Sequence, residues 1–434
     1  MTEREVERLR SMKEQLDIIP IPEEALSDAI RAGVRQAENQ YARKKTTQRF
    51  IWPSAAVAVL LLAFVMTIRI SPAFAHAVSS LPGMSMIVEM IQYDKGLRAI
   101  IDNEYYEEIH STDSDGTVTV TLNGVIVDQS GMVISYTVDS TTGMKDPQID
   151  KIELYSGNEL LEHQGISFNY PSEDGKMSNE QLIQYNFTEP LPTDSQEFEL
   201  KLSIRDTEDH QFSLPFTTRK PVAEGKIYDL NRSVTIDGQK LTIESITVHP
   251  LKVTVRIKED PDNTMDVLQY EDLRIENGDG EVWSRIANGM TATRDEEGTD
   301  IYFLQSNYFE QPDLMVFRMN RIQAIGKTER LVVDTLTGEV LETPSDGKLE
   351  VTELSPTLVE TKLKTGHEFG YGYLQEAVDA EGKSIELTSS GSWQIDDFSY
   401  GDMKFENGDY VNPITIKFFA YPNYIEGDVT IRLE

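Results

Sequence analysis

Three observations predict a mainly β ectodomain of two to three antiparallel β-sandwiches, preceded by a short α-helical arm and one transmembrane helix. They are an uncharged apolar run near the N-terminus, a switch to period-two alternation after residue 116, and a strand pattern recurring about every 115 residues. Residues 51–68 (IWPSAAVAVLLLAFVMTI) carry no charge. As a helix they rise roughly 27 Å, close to the thickness of a bilayer's hydrocarbon core. A globular core helix would show polar positions at the 3.6-residue period, and none interrupts 55–66. Arg43, Lys44, Lys45 and Arg49 precede the run while only Arg69 follows closely, which predicts a single pass with the N-terminus in the cytoplasm.

The inner arm, 1–49, reads as two short helices. In the first, Val6, Leu9, Met12 and Leu16 fall near one face, and Thr2 and Glu5 have capping-box spacing. Ile18-Ile19-Pro20-Ile21-Pro22 breaks it, and Pro22 opens the second, whose stripe contains Leu26, Ala29, Ile30, Gly33, Val34 and Ala37. An arm this small cannot bury that stripe alone, so Leu26, Ile30 and Val34 are the candidate partner-binding face. The first helix, a second copy of the chain and a cytoplasmic protein all fit it. The transmembrane segment spans 50–70. After it come Ala73-Phe74-Ala75 and Ala75-His76-Ala77, small-residue patterns of the kind signal peptidase prefers. A leader of that length is a signal anchor rather than an ordinary signal peptide; Ala75 and Ala77 are candidate cleavage positions, or simply helix formers.

Juxtamembrane helices are expected over 71–108, interrupted at Pro82-Gly83. Strands then follow: 117–127 (TVTVTLNGVIV) and 131–138 (GMVISYTV) alternate around a short turn, with further strands at 151–155, 197–204 and 211–216. The strand–turn–strand scheme of 118–138 returns at 234–257 and again at 347–363. That spacing suits immunoglobulin-like domains and divides the outer part into β-sandwiches at 109–223, 224–343 and 344–434.

Composition narrows the function. The chain's net charge is −34, and the residues before Ile70 hold +2 of it, so the outer segment carries −36. Such a surface repels phosphate backbones, which argues against a direct nucleic-acid partner and leaves cationic ligands or plain solubility. Cysteine is absent, so disulfides and thiolate zinc sites are excluded; export to an outer surface without oxidative folding, as in many Gram-positive bacteria, fits. The six histidines stand far apart, without metal-ligand spacing, and no nucleophile elbow or phosphate loop occurs. No catalytic, cofactor or metal site is expected, and the chain does not read as an enzyme. Three oxygen-rich turns, 113–116, 259–263 and 294–300, have some calcium-ligand character but lack the terminal Glu of an EF-hand loop. Trp283, Trp393, Phe418 and Phe419 lie in strand-like segments and read as core.

The string SPAFAHAVSSLPGMSMIVEMIQYDKGLRAII at 71–101, just outside a single apolar helix, resembles the bacterial domain of unknown function 4179. Its marks are Pro-Ala-Phe-Ala, the Leu-Pro-Gly turn and Tyr93-Asp94-Lys95-Gly96-Leu97; with the inner Ile-Pro-Ile-Pro-Glu the resemblance covers roughly residues 15–220. The stretch 421–431 looks like a second uncharacterised β domain often attached to it. The resemblance implies a membrane-anchored negative regulator, anti-sigma-like, in which an outer sensor of an envelope ligand controls an extracytoplasmic-function sigma factor. Its arm departs from better-known anti-sigma domains, having two short helices and neither Cys nor His. The alternative is an anchored surface β-sandwich protein that binds wall components or other proteins without signalling.

Overall fold

The computed structural model describes residues 94–434 except 145–146, 169–179, 287–290, 311, 313, 367–368 and 407–409. The inner arm, the apolar run, Leu26, Ile30, Val34, Ala75 and Ala77 lie outside the described residues. Among the described residues no helix is long and apolar enough to cross a membrane.

Alternation along the chain becomes antiparallel sheet. In Asp209–Thr217 (DHQFSLPFT), His210, Phe212, Leu214 and Phe216 are buried and every other residue is exposed, the period-two pattern of a strand with one face on a core. Pro215 is tolerated because this strand lies at a sheet edge, where an amide is not required. One five-stranded sheet runs Glu107–Ser114, Val118–Asp128, Gly131–Ser140, Glu180–Phe187, His163–Phe168. It shares a core with the sheet Glu159–Leu160, Gln148–Ser156, Glu197–Arg205, Asp209–Thr217; Leu122, Ile134, Tyr136, Leu200 and Leu214 are fully enclosed there.

A second sandwich repeats the scheme. Its first sheet is Lys226–Ile236, Gln239–Val248, Val253–Glu259, Asp300–Leu304, Ala292–Arg294. Its second is built on the long strand Met315–Gly326, which pairs with Met265–Tyr270 and Arg274–Asn277 and, on its other side, with Tyr424–Leu433 at the end of the chain. A third core lies between Leu331–Asp334, Glu339–Glu342, Leu374–Val378 and Ile414–Phe418 on one side and Leu349–Ser355, Leu358–Lys364, Leu387–Ile395 and Phe398–Phe405 on the other.

Strand pairing divides the chain differently from spacing alone. Residues 331–342 hydrogen-bond with the third core, and 424–433 with the second, so the third sandwich is inserted between two parts of the second. The physical reason is that Ile425, Val429, Ile431 and Leu433 alternate inward and complete the apolar face around Phe317, Met319 and Ile322.

The internal repeat is geometric. In each sandwich the strand paired on the N-terminal side of Val118–Asp128, Gln239–Val248 or Leu358–Lys364 carries a bulge: between Glu108 and Ser111, between Asp229 and Arg232, and between Val351 and Glu353. His110 and Asn231 sit in the first two with φ of 62° and 43°, a left-handed turn of the backbone that re-aims the strand.

Burying four aliphatic side chains of the last strand contributes about 1.5–3 kcal/mol each, together comparable to the stability of a typical domain. Deleting residues 424–434 is therefore expected to unfold the middle sandwich while the third keeps its structure. Hydrogen exchange would check this: protection should vanish across 226–326 and persist across 349–405.

Candidate functional site at the junction of two sandwiches

The helix α1, Lys95–Asp102, is set by its first residues. The Asp94 carboxylate caps it by accepting from the Leu97 N–H at 3.1 Å, and burial pushes the Asp94 pKa up. Lys95 Nζ reaches Glu281 Oε1 at 3.1 Å and the Val282 carbonyl at 3.2 Å, 5.7 Å over the Trp283 ring. Gly96 has a close-packing role, since a Cβ there would lie 2.6 Å from the Ser306 backbone nitrogen. Thus Asp-Lys-Gly is a helix cap, a charged clamp and a point of backbone approach, all directed at the second sandwich. Just after α1 the chain engages the first sandwich: the Glu107 carboxylate accepts from the backbone N–H groups of Arg219 at 2.8 Å and Lys220 at 3.0 Å, and Lys220 Nζ bonds the Glu104 carbonyl.

Beneath this segment, two equivalent hairpin turns meet, 128–131 of the first sandwich and 249–252 of the second. Asp128 is completely buried. Its Oδ1 accepts from Ser130 N and Oγ at 2.7 Å each and from Gly131 N at 3.1 Å; its Oδ2 accepts from Leu251 N at 2.7 Å across the junction. Gln129 Oε1 accepts from Gly225 N at 3.0 Å, fastening the connecting segment over both turns. Ser306, which receives Gly96, donates from Oγ to the His249 carbonyl at 2.5 Å.

Lys252 and His249 lie in the same dry contact. The Lys252 ammonium bonds Asn186 Oδ1 and sits 4.4 Å over the Phe303 ring; burial outweighs attraction to Asp128 and brings its pKa down to about 8. His249 is packed against Gly225, where any Cβ would strike the ring, and burial lowers its pKa as well. No nucleophile is paired with a base here. The chemistry available is a buried charge set that holds two sandwiches and one helix in register.

The oxygen-rich turns use their carboxylates internally. Asp115 Oδ1 accepts from Thr117 and Val118 backbone N–H groups at 2.8 Å, its other oxygen meets His210 Nδ1 at 2.5 Å, and these bonds hold its pKa far below the carboxylate range. Asp260 pairs with Lys240 at 2.7 Å, and Asp295 with Arg256 at 2.6 Å while capping Glu297 and Thr299. Among the described residues no group of three or more His, Asp or Glu is placed to hold a metal. Trp283 and Phe418 are core residues, but Trp393 and Phe419 are 42% and 47% exposed, which corrects their reading as core. Trp393 shares the outward face of its sheet with Tyr400 and Asp402, and Phe419 follows the last residue of the strand Ile414–Phe418.

The buried groups Asp128, His249 and Lys252 have no motif. Their signal lay in the repeat: two hairpin turns at equivalent places, one carrying Asp and the other Lys.

Residues 45–140 match the Domain of unknown function (DUF4179), narrower than the expected 15–220, and residues 225–352 match the Family of unknown function (DUF5643). The latter lies upstream of 421–431, the stretch expected to mark a second β domain, yet from Tyr424 onward that stretch belongs physically to the same sandwich through its pairing with Met315–Gly326, while Tyr421 is in the third core. No curated protein matches the chain. Among solved structures, the crystal structure of the conserved domain protein from Bacillus anthracis is similar at 14% identity, covering 55% of this chain and 84% of that one with a TM-score of 0.37.

Replacing Asp128 with Ala leaves four donors without their acceptor and is expected to cost about 2–4 kcal/mol, read from chemical denaturation. A pH signature should accompany the junction. Unfolded Lys252 keeps its proton to the ordinary 10.5, whereas in the fold it is lost near 8, so between those values the unfolded state binds more protons and stability rises with pH. In melts from pH 7 to 10.5, a Lys252→Met variant should lack that increment relative to the parent chain.

Proposed function

We propose, from the premise that residues 45–140 form a DUF4179 domain, that this chain is a membrane-anchored negative regulator of an extracytoplasmic-function sigma factor. Its outer part is read as three immunoglobulin-like sandwiches that sense an envelope ligand. The arm at 1–49 holds the sigma factor through Leu26, Ile30 and Val34. The observation that carries the reading is the placement of α1: the first element described beyond the apolar run is clamped at once to Glu281 and Ser306 of one sandwich and, through Glu104 and Glu107, to the other. A ligand that alters how the two sandwiches meet must therefore move or release α1, because the three share one contact. A shift of that kind requires only a difference in ligand affinity between the locked and released arrangements. Release leads to a response either by proteolysis near 73–77 or by a ligand-dependent conformational change.

The reading expects a sigma factor encoded beside this chain, and a reporter for that factor's output tests it. Leu26→Asp with Ile30→Asp is expected to raise output roughly tenfold by removing the apolar stripe from its partner. Gly96→Val is expected to raise output as well, with the arm intact, because its side chain forces α1 off Ser306. If both variants, and deletion of 1–40, leave output unchanged, the chain is an anchored surface module without signalling.

A further inference from the structure

The third sandwich bears an aromatic face that the junction does not use. Strand Leu387–Ile395 (LTSSGSWQI) is a sheet edge with no charged residue, in a chain where 26% of residues are charged. All its residues after Leu387 are exposed. Trp393 is directly opposite Tyr400 and their rings stack, 5.6 Å apart and 6° from parallel. Because no strand lies beyond Trp393, one indole face rests on Tyr400 and the other is open to solvent.

Two positions along the same face is Gly391, paired with Asp402. A Cβ at 391 would lie 2.5 Å from Asp402 Oδ1, so glycine keeps that carboxylate uncovered. The Asp402 carboxylate, the Ser389 hydroxyl on the same face and the Trp393 indole N–H have no hydrogen-bond partner among the described residues. Asp402 and Trp393 are diagonal neighbours on adjacent strands, about 7–8 Å apart, a span of more than one pyranose ring.

We infer that this face binds an uncharged glycan, one sugar ring lying on Trp393 and its neighbour's hydroxyls donating to Asp402. The chemistry selects that occupant. A pre-supported aromatic plane offers a flat apolar surface to the axial C–H groups of a pyranose, with little side-chain entropy left to lose. Ser389 on the same face supplies one further hydroxyl, while the net charge of −34 disfavours an anionic polymer. This assignment is independent of any signalling role.

The test is calorimetric titration of the full chain, in micelles of a non-glycosidic detergent, with three hexasaccharides: β-1,4-linked N-acetylglucosamine, cellohexaose and the anionic hyaluronan hexamer. Saturable heat is expected from at least one neutral hexamer, with Kd on the order of 0.1 mM, and weaker or no binding of hyaluronan. Trp393→Ala should weaken the neutral hexamer by at least about tenfold. Asp402→Ala, which leaves the Trp393–Tyr400 stack in place, should weaken it about fivefold. Near-ultraviolet circular dichroism verifies that both variants keep the fold. The proposal is overturned if no neutral hexamer binds, if hyaluronan binds more tightly, or if both variants bind as the parent chain does. It is equally overturned if sedimentation shows a dimer that Trp393→Ala abolishes and the hexamers do not dissociate, since the edge would then pair two copies.

Discussion

The Asp128 carboxylate is the constraint around which the first two sandwiches are arranged. An isolated buried carboxylate is costly, and this one is tolerable because three donors of its own turn and one from the neighbouring sandwich converge on it. The three local bonds shape the hairpin turn; the fourth, to Leu251, makes the position of the second sandwich a condition of satisfying the first. Lys252 and His249 are enclosed by the same contact, and burial pulls the affinity of each for its proton downward. Such a junction favours a single register of two bodies over an ensemble of hinged ones.

Helix α1 extends that constraint toward the N-terminal part of the chain. Its short motif has separable physical jobs: Asp94 caps, Lys95 bridges to Glu281, and Gly96 admits the Ser306 backbone. Ser306 in turn holds the carbonyl of His249, so the route from α1 to the buried charge set passes through one residue. The two matched families are therefore physically coupled in this chain: the motif of the first docks on residues of the second. A regulatory reading draws its support from this coupling, which links whatever the sandwiches contact to the segment that leads toward the apolar run.

The third sandwich is held differently. It is inserted into the second, and its attachment runs through the far end of Met315–Gly326, where Gln323 Oε1 accepts from Tyr421 N at 2.9 Å and Asn423 Nδ2 donates to the Ala324 carbonyl at 2.8 Å. Family boundaries and folded bodies consequently do not coincide. The match over 225–352 ends inside the third core, while the strand that completes the second core lies at 424–433. With its edge strand uncharged and its Trp393–Tyr400 pair facing solvent, the third sandwich is suited to bind a ligand without disturbing the buried junction directly.

Local pattern was enough to determine the strands, because period two is a property of neighbouring residues. Val118–Asp128, Gly131–Ser140, Glu197–Arg205 and Asp209–Thr217 fall within a residue or two of the alternating segments, and the repeat announced hairpins that the fold builds with matching bulges. Pattern also told core from surface wherever a strand had one wet face. It could not do so at Asn123–Asp128, buried on both faces because Tyr106 and the second sandwich cover the outer one, nor at Trp393, exposed because it sits on the outward face of an edge strand. Only the tertiary structure decided that the last strand returns to the middle sandwich, that Asp128 and Leu251 share a bond, and that Gly96 meets Ser306. Those pairings join residues from about 100 to more than 200 positions apart, where sequence proximity carries no information and shape, burial and hydrogen-bond satisfaction make the choice.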